Sequence, residues 1–179
     1  DRDVFIFLVD EANPIDIDGE ILFRGFYTWN SEVGASVFGL TTFLYRYMCD
    51  NRIIWGATNV DELRIRHTGG APERFLYEGA QYLQRYANES DRQVVDGIRA
   101  AKQFEIKKEE GWEDWLNRRG FTKSETANAI SYANAEEGQA RSLWDIINGL
   151  TASARAIENT DRRVELETKA GSLMKFASK

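Results

Sequence analysis

The 179-residue chain has one cysteine, one histidine, two prolines and two methionines. A single cysteine cannot form a disulfide within the chain, and this fits a reducing cytoplasm. One histidine and one cysteine are too few for a zinc site, so we expect no metal and no cofactor. No apolar run approaches the ~20 residues of a membrane-spanning helix, and no signal peptide is recognisable. We therefore expect a cytoplasmic protein with no membrane partner.

Lysine is absent from the first 101 residues, and all six basic residues among residues 1–70 are arginines. The net charge of −6 argues against a protein that coats duplex DNA through bulk charge. Arginine suits stacking and bidentate contacts better than lysine does. Strand-rich segments also disfavour lysine, so the bias fits both a binding surface and a plain sheet.

The pattern of apolar residues changes its period near Gly69 to Pro72. Before this point, alternation and turn dipeptides predict strands over residues 4–9, 21–29, 35–48, 52–55 and 63–67, with a buried first strand and a loop over Asp10 to Glu20. After it, helical spacing and capping residues predict helices over residues 72–88, 90–106, 112–119, 122–137, 143–157 and 161–176. We predict a single α+β domain over residues 1–179. An antiparallel sheet in residues 1–70 is followed by a helical half, residues 71–179, packed on one face.

Several short segments resemble one known family. They are Asn30-Ser31-Glu32-Val33-Gly34, Phe43-Leu44-Tyr45-Arg46, Cys49-Asp50-Asn51, Arg66-His67-Thr68-Gly69, Trp144-Asp145 and Asn148-Gly149-Leu150-Thr151. The series is similar to the phage/plasmid-like family catalogued as domain of unknown function 932. The resemblance covers most of the chain and implies a setting, the mobile genetic elements of bacteria. The family's pattern begins upstream of Asp1, so we expect the chain to be a fragment of a longer protein.

Sites for catalysis are scarce in this sequence. A nucleophilic Cys49–His67 pair is one interpretation, but a buried thiol and a structural histidine explain both residues better. No glycine-rich phosphate loop is present. The carboxylates near the predicted loop lack the closing ligand of a calcium site, which favours a solvated turn; they are Asp10, Glu11, Asp16, Asp18 and Glu20. We expect a non-catalytic protein, with a carboxylate-metal enzyme as a lesser alternative.

Two segments each allow two interpretations: the helices around Gly120, and the polar residues from Asn30 to Glu32. Helices on either side of Gly120 fit an αα-corner better than a DNA-reading helix-turn-helix, because the second has no basic residue after Lys123. The polar group Asn30, Ser31 and Glu32 is the one that the family resemblance marks most strongly. It is interpreted either as a turn that fixes strand register or as a polar contact site at a strand end.

Single-stranded nucleic acid is the partner that the sheet-forming residues favour. Such strands are bound by aromatic rings flanked by arginines. We predict a binding surface formed by Arg24, Arg46, Arg52, Arg64, Arg66, Trp29 and Trp55, with Leu63 and Ile65 pointing inward and Arg64 and Arg66 outward. The leading hypothesis is a protein that binds or anneals single-stranded DNA or RNA, as in DNA recombination, with a homo-oligomer as one expected form. The alternative is a protein-interaction or structural module without nucleic-acid binding.

Overall fold

The computed structural model describes residues 3–31, 37–47, 51–55, 62–106 and 110–177. Within these residues the strands precede the helices, which confirms the predicted α+β arrangement. The strands are β1 Asp3–Ile17, β2 Glu20–Ser31, β3 Val37–Arg46, β4 Asn51–Ile53 and β5 Leu63–Arg66. The helices are α1 Ala71–Ala87, α2 Asp91–Gln103, α3 Trp112–Asn117, α4 Lys123–Glu137, α5 Leu143–Ala154 and α6 Thr160–Gly171, and a 3₁₀ helix follows over Ser172–Phe176.

The strands form one antiparallel sheet in the order β1–β2–β3, with β1 at an edge. On its other side, β3 pairs with β4 near Arg46 and with β5 near Val37. The β1–β2 hairpin turns at Asp18 and Gly19, which have φ angles of 56° and 87°. Two successive positive φ angles are typical of the type I′ turn, for which Asp-Gly is a favoured pair.

Two expectations about β1 are wrong. The segment predicted as a loop over Asp10 to Glu20 is mostly strand, because β1 continues to Ile17 beyond an irregular register between Asp10 and Ile15. Ile15 and Ile17 alternate into the core, and Pro14 is tolerated because an edge strand leaves its missing N–H unneeded. The run Val4 to Val9 is not a buried strand, since the strand order places it at the sheet edge.

One face of the sheet, here called the helix face, packs against the helical half. Its residues Ile17, Leu22 and Ile53 are almost fully buried in a cluster shared with α2 and α5. Helix α5 is buried along its whole length, and it begins at a capping box formed by Ser142 and Asp145. This central helix contacts α2, α4, α6 and β4, so it joins much of the helical half to the sheet.

The opposite face, here called the aromatic face, presents the odd-numbered residues of β2 and those of β1 up to Val9. It contains Phe5, Phe7, Tyr27, Trp29, Phe43 and Tyr45. Among the described residues, α6 reaches this face through Val164, which packs against its cluster. The helices therefore cover the two faces to different extents. On the aromatic face the rings of Phe5, Phe7, Trp29 and Tyr45 are partly exposed.

Candidate functional site

A row of four residues crosses the aromatic face from edge to edge. Phe5 on β1 pairs with Trp29 on β2, which pairs with Gly39 on β3, which pairs with Arg64 on β5. Residues directly opposite each other in an antiparallel sheet project to the same side. The row therefore places two half-buried rings and one exposed guanidinium on one surface.

Gly39 allows the Trp29 indole to lie flat on the sheet. A β carbon at position 39 would overlap Trp29 Cζ2, Cε2 and Cη2. The indole therefore extends across β3, from β2 toward the strand that carries Arg64. Trp29 also contacts the ring of Tyr27, with a centroid separation of 5.4 Å.

The centre of the aromatic face is a closed ring cluster. The Phe7 ring lies 5.1 Å from Tyr27 and 6.2 Å from Phe43, measured between centroids. The Phe43 ring lies over Gly25, where a β carbon would overlap it. Burial raises the pKa of Tyr27, and the nearby carboxylates of Glu62 and Glu167 raise it further. The Tyr27 hydroxyl is therefore neutral. The ring cluster packs beneath the more exposed residues at the edge of the aromatic face.

Arg64 and Arg66 lie side by side at this margin. Both are exposed and both project from the aromatic face, while Ile65 between them is 1% exposed and Leu63 is half-buried. The predicted alternation of β5 is confirmed. We call Phe5, Trp29, Arg64 and Arg66 the candidate site.

A carboxylate already occupies one guanidinium of the candidate site. Glu62 accepts a hydrogen bond from Arg64 Nε at 2.7 Å, and this contact raises the pKa of Arg64. The Arg64 side chain is 64% exposed, so water screens the pair and its stabilising effect is small. An anionic ligand would have to compete with Glu62 for Arg64.

Arg52 reaches the aromatic face but is not available there. It is buried, its guanidinium lies 3.8 Å from the centroid of the Phe7 ring, and it donates two hydrogen bonds to Glu167. Arg163 on α6 donates to the same carboxylate. Burial lowers the pKa of Arg52 and raises that of Glu167, while each charge opposes the shift of the other. Arg52 therefore fastens α6 to the sheet.

Arg24 and Arg46 lie on the helix face, which corrects the expectation that they join Arg64 and Arg66 on one exposed surface. They are even-numbered residues of β2 and β3, whereas the residues of these strands on the aromatic face are odd-numbered. Arg24 donates to the Tyr86 and Glu89 carbonyls near the end of α1 and pairs with Asp91. Both arginines are buried, and they serve as links between sheet and helices.

The Arg46 side chain is part of a buried charge network. It pairs with Glu20 and Glu137. Glu20 also pairs with Lys102 on α2 at 2.7 Å and accepts hydrogen bonds from the Trp144 indole on α5. A buried guanidinium needs such compensation, because an unpaired charge in the interior is costly.

Trp55 lies away from the candidate site. Its indole packs over Gly97 of α2, where a β carbon would overlap it, and it borders the core of the helix face. Of the polar turn group, Asn30 pairs with Val4 on the helix-face side of the sheet and Ser31 ends β2. Glu32 lies outside the described residues. The predicted site is thus divided, with Trp29, Arg64 and Arg66 brought together.

Sequence reasoning missed Phe5, Phe7 and Glu62. The phenylalanines were hidden because an unbroken apolar run does not reveal which residues share a face with Trp29. Their parity becomes meaningful once the β1–β2 register is known. Glu62 could have been found from its position two residues before Arg64, which is a same-face neighbour in an extended segment.

The carboxylates near the hairpin are separately engaged. Asp10 accepts hydrogen bonds from Ala12 and Asn13, and Asp16 from the Gly19 amide. Asp18 pairs with Arg99, whose guanidinium lowers the pKa of the Asp18 carboxyl. In the part of the chain that the structure describes, no group of three or more His, Cys, Asp or Glu side chains could hold a metal ion.

One member of the Cys49–His67 pair is placed by the structure. The His67 ring is exposed and lies 4.4 Å from the Phe38 ring, measured between centroids. Cys49 lies outside the described residues.

Among the described helices, none has both the length and the apolar character needed to cross a membrane. Comparisons of this chain with protein-family models, curated proteins and solved structures find no match.

Proposed function

We propose that this chain belongs to a non-catalytic protein of a bacterial phage or plasmid that binds or anneals single-stranded nucleic acid. The observation that carries the proposal is the row formed by Phe5, Trp29, Gly39 and Arg64. It combines partly exposed rings with an exposed guanidinium on one side of a sheet. Among the described residues, α1, α2 and α5 pack against the other side.

This arrangement suits a single strand because bases and phosphates need different partners. Unpaired bases stack on Trp29 and Phe5, since every base has a π face. Arg64 and Arg66, about 7 Å apart along one strand, contact the phosphates. Stacking and charge contacts do not read base edges, so we expect little sequence preference.

The electrostatics predict modest affinity. The net charge of −6 repels a polyanion, and Glu62 competes with phosphate for Arg64. Because the Arg64–Glu62 pair is exposed, breaking it costs little, and a phosphate oxygen can replace the carboxylate. Binding should therefore weaken steeply with added salt.

The mobile-element setting rests on the motif resemblance. Phe43 to Arg46 lies in β3, and Arg66 is the last residue of β5, so the sheet includes one similar segment and the first residue of another. Mobile elements of this kind often carry recombination and strand-annealing proteins, which handle single-stranded DNA in the cytoplasm. That setting supports the aromatic face as the place of the activity.

The test is fluorescence anisotropy with a labelled oligothymidylate at several salt concentrations. The double substitution Arg64→Ala/Arg66→Ala should weaken binding and flatten the log–log salt slope by about 0.7 for each phosphate that is no longer neutralised. The matched control is Arg74→Ala/Arg92→Ala, which removes two exposed, ion-paired arginines from α1 and α2. The control should bind like the wild type.

Glu62→Gln provides a test in the opposite direction. Removal of the competing carboxylate should tighten binding by up to about fivefold, the scale of an exposed ion pair. Equal weakening in the site variant and the control would indicate a bulk charge effect. No binding by the wild type at low salt would refute the proposal for these 179 residues.

The second candidate is a protein-interaction or structural module without nucleic-acid binding. One observation favours it: Val4, Ile6 and Leu8 are each about half exposed, and they lie in β1, whose outer edge pairs with no other strand among the described residues. Exposed apolar side chains on an edge strand are typical of sites that pair with another chain. Absence of oligonucleotide binding together with protein association would support this candidate.

A further inference from the structure

The outer edge of β1, which no described strand pairs with, changes character along its length. From Asp10 to Asp16 it has features that prevent strand pairing: charged side chains, Pro14 and an irregular register. From Val4 to Val9 it has none of these, because all six residues are apolar. Val4, Ile6 and Leu8 on the helix-face side of this segment are 51%, 51% and 52% exposed. One half of the edge is protected and the other is not.

We propose that the Val4–Val9 edge pairs with the same edge of a second copy of this chain, antiparallel and centred on Ile6. A two-fold axis normal to the sheet keeps each face continuous, so paired residues must have the same parity. Centring on Ile6 places Val4 opposite the second copy's Leu8. The exposed aliphatic residues of both copies then form one contiguous strip on the helix-face side.

The second copy is the occupant that charge and side-chain matching favour. In the antiparallel arrangement the two Asp10 carboxylates lie at opposite ends of the paired segment, whereas a parallel arrangement would place them side by side. Centring on Phe7 would set Asp10 against the second copy's Val4 and leave a charge against an apolar side chain. Centring on Ile6 pairs the residues from Val4 to Leu8 with apolar residues only, and it places Asp3 opposite Val9 at each end of that segment.

The same register continues the aromatic face across the two copies. Phe5 and Phe7 already lie nearly parallel within one copy, with centroids 6.4 Å apart and an interplanar angle of 13°. In the dimer Phe5 faces the second copy's Phe7, so the row from Arg64 through Trp29 and Phe5 extends into the partner. This inference goes beyond the proposed function, because the pairing itself needs no nucleic acid.

The association is tested by sedimentation velocity on the 179-residue protein without nucleic acid, from about 1 to about 200 µM, the range for a small interface. The wild type should shift from monomer to dimer with concentration. Ile6→Lys should stay monomeric, since two ammonium groups would meet at the axis. The matched control Leu76→Lys alters a side chain on α1 that is 72% exposed, and it should dimerise like the wild type.

A cysteine experiment tests the register without depending on Ile6→Lys. In a Cys49→Ser background, Ile6→Cys should form an intermolecular disulfide on mild oxidation, because directly opposite β carbons are about 5 Å apart. Val4→Cys should not, because the two Val4 positions are roughly 13 Å apart along the strand. A wild type that stays monomeric at the highest concentration would overturn the proposal. So would dimers that Ile6→Lys leaves intact, or equal cross-linking at positions 4 and 6.

Discussion

Gly39→Ala tests whether the Trp29 indole needs the open surface of β3. The new β carbon would lie closer than 3.0 Å to three indole atoms, a separation that real β carbons essentially never show. The indole must then leave the strand or the strand must move. Either change disturbs the contact between Trp29 and Tyr27 at the margin of the ring cluster.

The expected cost follows from these two contributions. Overpacking of a well-packed site costs about 1–3 kcal/mol. Disruption of an aromatic pair costs about 0.5–1.5 kcal/mol, and the two costs overlap because the same ring movement causes both. We expect a decrease of about 1–3 kcal/mol in the free energy of unfolding. For a chain of this length that corresponds to a fall of about 2–12 °C in Tm.

Urea titration and thermal unfolding followed by circular dichroism measure this change. Gly69→Ala is the matched control, since a β carbon at position 69 meets nothing within 4 Å. The control should stay within about 0.5 kcal/mol of the wild type. If Gly39→Ala proves as stable as Gly69→Ala and binds oligothymidylate equally well, the role assigned to the Trp29–Gly39 contact is refuted.

Two further predictions concern groups that the structure buries. Arg46→Met should lower the free energy of unfolding by about 3 kcal/mol, because it leaves Glu20 and Glu137 without their shared partner. The control Arg66→Met should change it by less than about 0.5 kcal/mol in the same urea titration. Above pH 10 the stability should fall, because Tyr27 and Tyr86 have raised pKa values when folded and ionise near 10.0 only when unfolded. Tyr27→Phe should reduce that slope by about 1.4 kcal/mol per pH unit, measured by urea titration at several alkaline pH values, and an unchanged slope would contradict the burial of Tyr27.

The order of the elements could be predicted from local signals. The change from alternating to helical periodicity near Gly69 identified where the sheet ends, and the helix beginning after Thr122 followed from its capping box. These signals depend on residues within a few positions of each other. The loop predicted from Asp10 to Glu20 was wrong because polar residues and Pro14 outweighed the alternation of Ile15 and Ile17.

The candidate site could be predicted only in part. The outward direction of Arg64 and Arg66 followed from alternation within one strand, and their exposure agrees with it. Arg24 and Arg46 belong to strands that are apolar or mixed on both sides. Nothing local shows which side the helices cover, so their burial against α1, α2 and α4 could not be predicted.

The sequence by itself determined the element order and the β5 alternation, because both depend on short-range periodicity. The tertiary structure alone decided which residues meet. Strand order put Val4 to Val9 at an edge, and register set Phe5 beside Trp29 and opened Gly39 beneath the indole. The physical reason is that register and layer packing are set by contacts between residues far apart in the chain, where a shift of one position exchanges the two faces of a strand.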